Sequence, residues 1–157
     1  MSSNTPAASE ALRQFRMIFG AVRQHFKAVE KACGVSGAQI WAMAALRQHP
    51  GMKVSELAQA LSIHASTASN LLDKIEKAGL VRRERNHVDQ RVVQLYLTAA
   101  GEQALKRAPQ PQTGILTHAL GQLPDDALAR LNQDLAALIA HMGAVDTQAA
   151  QKPLSEL

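Results

Sequence analysis

Between residues 9 and 33 the apolar side chains Leu12, Phe15, Phe19, Val22, Phe26, Val29 and Cys33 recur at alternating spacings of three and four. That period predicts one long helix with a single apolar seam, and such a seam requires a partner helix. The basic residues between them, Arg13, Arg16, Arg23, Lys27 and Lys31, read as its solvated face. Gly34 stops this helix, and Ser36-Gly37-Ala38-Gln39 opens another that carries Ile40, Trp41, Met43, Ala44 and Leu46 as far as Gln48, where Pro50-Gly51 ends it. Ser55 to Leu61 then reads as a short helix opened by a serine cap, with Leu57, Ala58 and Leu61 on one face. After a turn at Ser62-Ile63-His64, Ala65 to Ala78 places Ala68, Leu71, Leu72 and Ile75 inward. Ser66, Asn70, Asp73 and Lys77 lie opposite, flanked by Thr67, Ser69 and Lys74, and Gly79 ends the helix.

The period then changes from helix to strand. Leu80 to Arg85 and Arg91 to Leu97 read as a hairpin with a polar tip at 86–90, Val93, Leu95 and Leu97 sharing one face. Thr98 opens a helix that runs to Ala108, where Pro109-Gln110-Pro111 breaks it. Ile115, Leu116, Leu120 and Leu123 predict a short helix. Beyond Pro124 at the first helical position, Leu128, Leu131, Leu135, Leu138, Met142 and Val145 repeat the three-four spacing of the first helix. The expected fold is mainly α with a small β-hairpin wing, a winged helix-turn-helix lobe plus a helical dimerisation lobe formed by the N- and C-terminal helices. The dimerisation region is expected at 9–33 and 109–146, the winged helix-turn-helix at 34–108, and flexible tails at 1–8 and 147–157. The two matching seams can cover each other within one chain or interleave with their copies across a two-fold axis, and a homodimer is the expectation.

Charge sharpens this picture. A formal net charge of +4 suggests an acidic partner, and nucleic acid is the commonest. The excess sits in the first two thirds: after Pro109, Asp125, Asp126, Asp134, Asp146 and Glu156 outnumber Arg130 and Lys152. The outer face of the 65–78 helix is small, hydroxylic and amide-bearing, so it can enter a major groove without steric conflict. Arg82, Arg83, Arg85 and Arg91 face only Glu84 and Asp89 in the hairpin, a guanidinium density suited to phosphates and a minor groove. No apolar leader or membrane-length run is present, which predicts a cytoplasmic protein without membrane contact. One cysteine excludes an intrachain disulfide framework. No Gly-rich phosphate loop, nucleophile-base pair or carboxylate pair appears, so neither catalytic residues nor a cofactor are expected. The six histidines lack any i, i+4 pair, and no metal site is expected.

Leu57-Ala58, Ser66-Thr67-Ala68-Ser69, the run from Leu72 to Val81, Asp89-Gln90-Arg91 and Leu97-Thr98-Ala99-Ala100-Gly101 together resemble the signature of MarR-type transcriptional regulators. The resemblance is dense between Leu57 and Gly101 and looser on either side. It implies a dimeric winged-helix repressor on a pseudo-palindromic operator in double-stranded DNA. Ser66, Thr67, Ser69 and Asn70 would read base edges, Lys74, Lys77 and Arg85 would meet phosphates, and His87 would sit at the wing tip. Arg91 would enter the flanking minor groove, held by Asp89 pairing with a nearby arginine. The resemblance also implies a small aromatic acid or related metabolite as effector, bound between the two lobes near Phe19, Arg23, Phe26 and Trp41, with Arg16, Arg23 or His25 as the cation for its carboxylate. The Pro109-Gln110-Pro111 break departs from the long stalk of many relatives.

One residue is unusual within the motif. His64 stands where a serine, threonine or aspartate would cap the 65–78 helix, and imidazole is a poorer acceptor for the free amides. Ser66 is therefore expected to cap a slightly later start, the alternative being that His64 faces a phosphate. Three other readings stay open: a redox response through Cys33, which needs a depressed thiol pKa; a metal response; and a winged-helix module that binds only protein, which leaves the arginine-rich ribbon unexplained.

Overall fold

The structure, a computed structural model, describes residues 5–157. Along them run α1 (Pro6–Cys33), α2 (Gly37–Gln48), α3 (Val54–Ala60), α4 (Ala65–Lys77), β1 (Val81–Arg85), β2 (Val93–Leu97), α5 (Ala99–Arg107), α6 (Ile115–Gly121) and α7 (Asp125–Met142). Two 3-10 turns, Thr147–Gln151 and Leu154–Glu156, follow. The chain is thus mostly helical with one small antiparallel hairpin.

Local chemistry sets the ends of these elements. α1 starts ahead of its apolar seam because Thr5 accepts from the Ala8 amide and Pro6 supplies a preset φ. It stops at Gly34, whose φ of +70° suits glycine. α2 opens with a reciprocal capping box between Ser36 and Gln39. The serine cap expected at Ser55 is not used: α3 begins one residue earlier, and the Glu56 carboxylate accepts from the Lys53 amide at 2.8 Å. A carboxylate in the first turn also complements the helix dipole.

In the hairpin Val81 lies opposite Leu97 and Arg85 opposite Val93. On the other side of β2, Met52 bridges to Leu95 through a 2.9 Å bond from the Leu95 amide to the Met52 carbonyl. The Pro50-Gly51 stop is therefore also the entry to a short third strand contact. The core gathers α2, α3, α4, the hairpin and α5 around Ile40, Met43, Leu57, Leu72, Leu95 and Leu105, all fully buried. Gly101 belongs to this packing: a Cβ there would collide with the Leu80 carbonyl oxygen, so only glycine lets α5 approach the start of β1.

The terminal helices contrast with this lobe. Val29 is the one buried residue of α1, and α7 has none. Phe19 on α1 is 69% exposed and Met142 on α7 is 64% exposed, so the two seams do not cover each other within the chain. After α5 the loop is pinned by Gln112, which donates to the Leu105 carbonyl and accepts from Arg47.

The 147–157 segment, expected as a flexible tail, is seen docked on the winged-helix lobe. Gln151 accepts from the His64 amide and Ser155 from the Ala38 amide, each at 3.2 Å, while Pro153 is buried. Two helix-terminal amides lacking intrahelical partners hold the segment down, a contact that no hydrophobic period announces. Of the matching expectation for 1–8, residues 1–4 lie outside the described residues and 6–8 are helical.

Candidate nucleic-acid interface

The helix-turn-helix is closed at both ends of α4. Ser62 adopts a left-handed φ of +54° in the turn, and His64, not Ser66, is the cap. Its Nδ1 accepts from the Ser66 amide at 3.2 Å and lies 2.7 Å from the Ser66 hydroxyl, which requires the ring nitrogen facing them to be unprotonated for the amide bond. The expectation of a later, Ser66-capped start fails because the imidazole itself reaches forward to the amide two residues on, as a short capping side chain would. At the other end Gly79, with φ +75°, donates to the Glu76 carbonyl and Leu80 donates to that of Ile75, the paired bonds of a Schellman motif.

Between these ends Ala68, Leu71, Leu72 and Ile75 are buried, which fixes the rotation of α4 about its axis. The opposite face is left to solvent: Ser66, Asn70, Lys74 and Lys77 are exposed, Thr67 and Ser69 half-buried along its edges. Each can offer a hydroxyl, an amide or an ammonium outward. Asp73 stands on the same face.

Each of the four hairpin arginines has its own partner. Arg82 stacks on the Tyr96 ring at 4.7 Å and pairs with Glu84. Arg83 reaches from β1 to α4, its Nη2 2.6 Å from the Asp73 carboxylate and its Nε 2.7 Å from that of Glu76. Arg83 is thus a strut between wing and helix, a role missed from the sequence. Strand alternation carried the signal, since Arg83 shares a face with buried Val81. Arg85 donates to the Gln90 carbonyl at 2.8 Å and braces the tip.

Asn86 closes that tip by accepting from the amides of Val88 and Asp89. His87 is exposed there. Asp89 accepts from both the backbone amide and Nε of Arg91, at 3.1 and 3.2 Å. The expected pairing of Asp89 with a second arginine is not present: the carboxylate holds Arg91 directly, because the turn places the two residues on one side of the tip. The Arg91 side chain remains 93% exposed and projects outward.

The candidate effector residues are only partly brought together. Phe26 and Trp41 line a small cavity with Val22, Ile115, Leu116 and the tail residue Leu154. Phe19 and Arg23 do not line it, and neither do Arg16 or His25. Phe19 lies about two helical turns from Phe26 and tilts against Phe15 instead, at 6.1 Å between ring centroids. The lining is therefore chiefly apolar, without the cation that a carboxylate needs. Cys33 donates to the Ala104 carbonyl at 3.5 Å, and burial pushes its thiol up, outweighing the opposing field of Arg107. That is the reverse of the shift a peroxide-sensing thiolate requires. Among the described residues, no three of the His, Cys, Asp and Glu side chains gather into a metal-binding group, and no helix is long and apolar enough to cross a membrane.

Comparison with known proteins agrees with this geometry. Residues 35–93 match the MarR family. The chain is 25% identical over 151 residues to the HTH-type transcriptional repressor MdtR of Bacillus subtilis, covering 96% of this chain and 92% of that protein. Among solved structures, the YusO protein from Bacillus subtilis is 25% identical with a TM-score of 0.56, covering 91% of this chain and all of that one (100%). Streptococcus pneumoniae FabT, solved in complex with DNA, shares the fold at 17% identity and a TM-score of 0.58, covering 85% of this chain and 96% of that chain. With its capped α4 and its strutted hairpin, the chain is similar to the MarR family over residues 35–93 and, over nearly its whole length, to an HTH-type transcriptional repressor.

Proposed function

We propose that the protein is a homodimeric repressor that binds a pseudo-palindromic stretch of double-stranded DNA, one α4 entering the major groove in each half-site. The observation that carries this reading is the pairing of α4's uncovered polar face with an Arg91 side chain that is held by Asp89 yet 93% exposed at the tip of a wing tied to the same helix. Ser66, Thr67, Ser69 and Asn70 read base edges. Lys74, Lys77 and Arg85 meet phosphates, with His87 beside them at the tip. Arg91, oriented by Asp89, enters the minor groove. The uncovered seams of α1 and α7 supply the dimer contact and set the separation of the two reading helices. The likeness to the repressor MdtR supports repression over activation.

A small aromatic effector bound beside Phe26 and Trp41 then releases the DNA by favouring a spacing that does not fit it. A ligand that bound both spacings equally would switch nothing. Duplexes selected by the protein from a random-sequence pool test the reading. Asn70→Ala relaxes the selected consensus, Lys74→Ala weakens all duplexes alike and lowers the salt slope by about 1, and Arg91→Ala costs most on A·T-rich flanks. If all three substitutions left affinity, salt slope and consensus unchanged, the assignment of the interface would fall.

A further inference from the structure

The segment 147–157 lies where a DNA-reading helix would be least expected to tolerate a neighbour. Its attachment is specific. In α4 the third helical position is Thr67, too short to reach back to the cap as Glu56 does in α3, so the His64 amide would lack an acceptor; the Gln151 carbonyl supplies one at 3.2 Å. Four residues on, the Ser155 hydroxyl takes the Ala38 amide in the first turn of α2, also at 3.2 Å. Between these points Pro153 is buried, and with Leu154 it walls the cavity beside Trp41. The segment therefore spans from the effector-cleft residues to the start of α4.

Two of its charged side chains face the interface. Lys152 and Glu156 form one wall of a groove whose other wall includes Thr67, Asn70, Lys74 and Lys77 of α4. A helix with its side chains is about 10–12 Å across, and the major groove is about 12 Å wide, so a further run of chain beside the reading face cannot enter with it. Glu156 moreover sets a carboxylate in the same groove as Lys74 and Lys77. Resting on the DNA-binding reading given above, we propose that residues 147–157 are an autoinhibitory strap, docked over the reading face of α4 in the free protein and released when that face enters DNA. The attachment is built to open: two hydrogen bonds and one buried proline hold it, and Leu154 is 47% exposed.

Two readouts test the strap. The first is affinity for a fluorescein-labelled random-sequence duplex about three helical turns long, compared between the full chain and a chain ending at Asp146. A strap closed about nine-tenths of the time lowers apparent affinity about tenfold, so the shortened chain binds about tenfold tighter. Leu154→Ser, which loosens the docked segment without touching the core, recovers part of that gain and decides alone if the shortened chain fails to fold. The second is the emission of Trp41, the single tryptophan, which lines the cavity the segment closes. Saturating duplex shifts the full chain's emission to that of the shortened chain. Unchanged or weaker binding by both variants overturns the strap while leaving the DNA-binding reading intact. Absence of binding by all three proteins overturns the DNA-binding reading itself, and the strap with it.

Discussion

The winged-helix lobe and the terminal helices carry apolar residues at the same helical spacing, yet only the lobe buries them. In α4, Leu71, Leu72 and Ile75 are sealed by α2, α3 and the hairpin of their own chain. In α7, Leu138, Ile139 and Met142 face solvent, as do Leu12 and Phe19 in α1. A reading head must present one rigid face whatever its surroundings, so its rotation is fixed internally. In the homodimer proposed above, the clamp that sets the distance between two heads is completed by the second copy, and the uncovered seams of α1 and α7 are the surfaces such a clamp would use.

Breaking the clamp gives the largest effect. Leu131→Asp combined with Leu135→Asp places two carboxylates on the α7 seam, where burial against a partner helix would leave them unpaired. Light scattering should then report a single chain of 16.9 kDa in place of twice that mass. DNA affinity should fall by roughly 10²-fold or more as the two heads lose their linkage. A doubly substituted protein that kept its mass would show that the α7 seam is not where the copies meet.

Breaking the head is next. Leu72 is fully buried at the centre of the core, so Leu72→Ala should cost about 2–5 kcal/mol of folding stability in a denaturant titration. The folded fraction should retain its oligomeric mass, which separates the two regions cleanly. A cost within the range of exposed substitutions would mean that the lobe repacks far more freely than its burial indicates.

A smaller effect tests how the wing is aimed. Arg83 is partly covered and touches both Asp73 and Glu76, so Arg83→Ala should change stability by no more than about 1 kcal/mol. It should nonetheless weaken DNA binding, because Arg91 loses the strut that orients its ribbon. The effect should not add to that of Arg91→Ala, since both remove the same minor-groove contact. Full additivity in the double substitution would place Arg83 in an independent role.

The difference between the regions also explains what the sequence disclosed. Gly79 and Thr98 were legible because their signals are local: a glycine at a helix end, and a hydroxyl three residues ahead of the Gly101 amide it accepts from. The inner face of α4 was legible because burial within one lobe leaves a clean period. The 147–157 segment was not. Its contacts join residues as far apart as Ala38 and Ser155 through one carbonyl and one hydroxyl, and neither group has a periodic signature. The division of the hairpin arginines was half hidden for the same reason: composition counts four cations, but only tertiary placement shows that Asp73 and Glu76 claim Arg83. Phe19 lies apart from the cavity beside Trp41, a placement that sequence leaves open because an aromatic on a seam reads as core or cleft alike until its cover is known.

The smallest expected effect bears on the residue whose role sequence reasoning assigned to its neighbour. His64 caps α4 through Nδ1, so His64→Ala should remove one satisfied amide and cost about 1 kcal/mol. In a chain of this size that is a fall in melting temperature of roughly 2–4 °C, measured without DNA. His64→Asn restores a short acceptor at the same position and should recover most of the loss, whereas a residue acting only on a phosphate would leave the free protein's melting unaffected by either change. Because the backbone amide of residue 64 survives both substitutions, its bond to the Gln151 carbonyl remains available. Stability that fell with alanine and failed to return with asparagine would show that the imidazole contributes packing at the turn and not an acceptor.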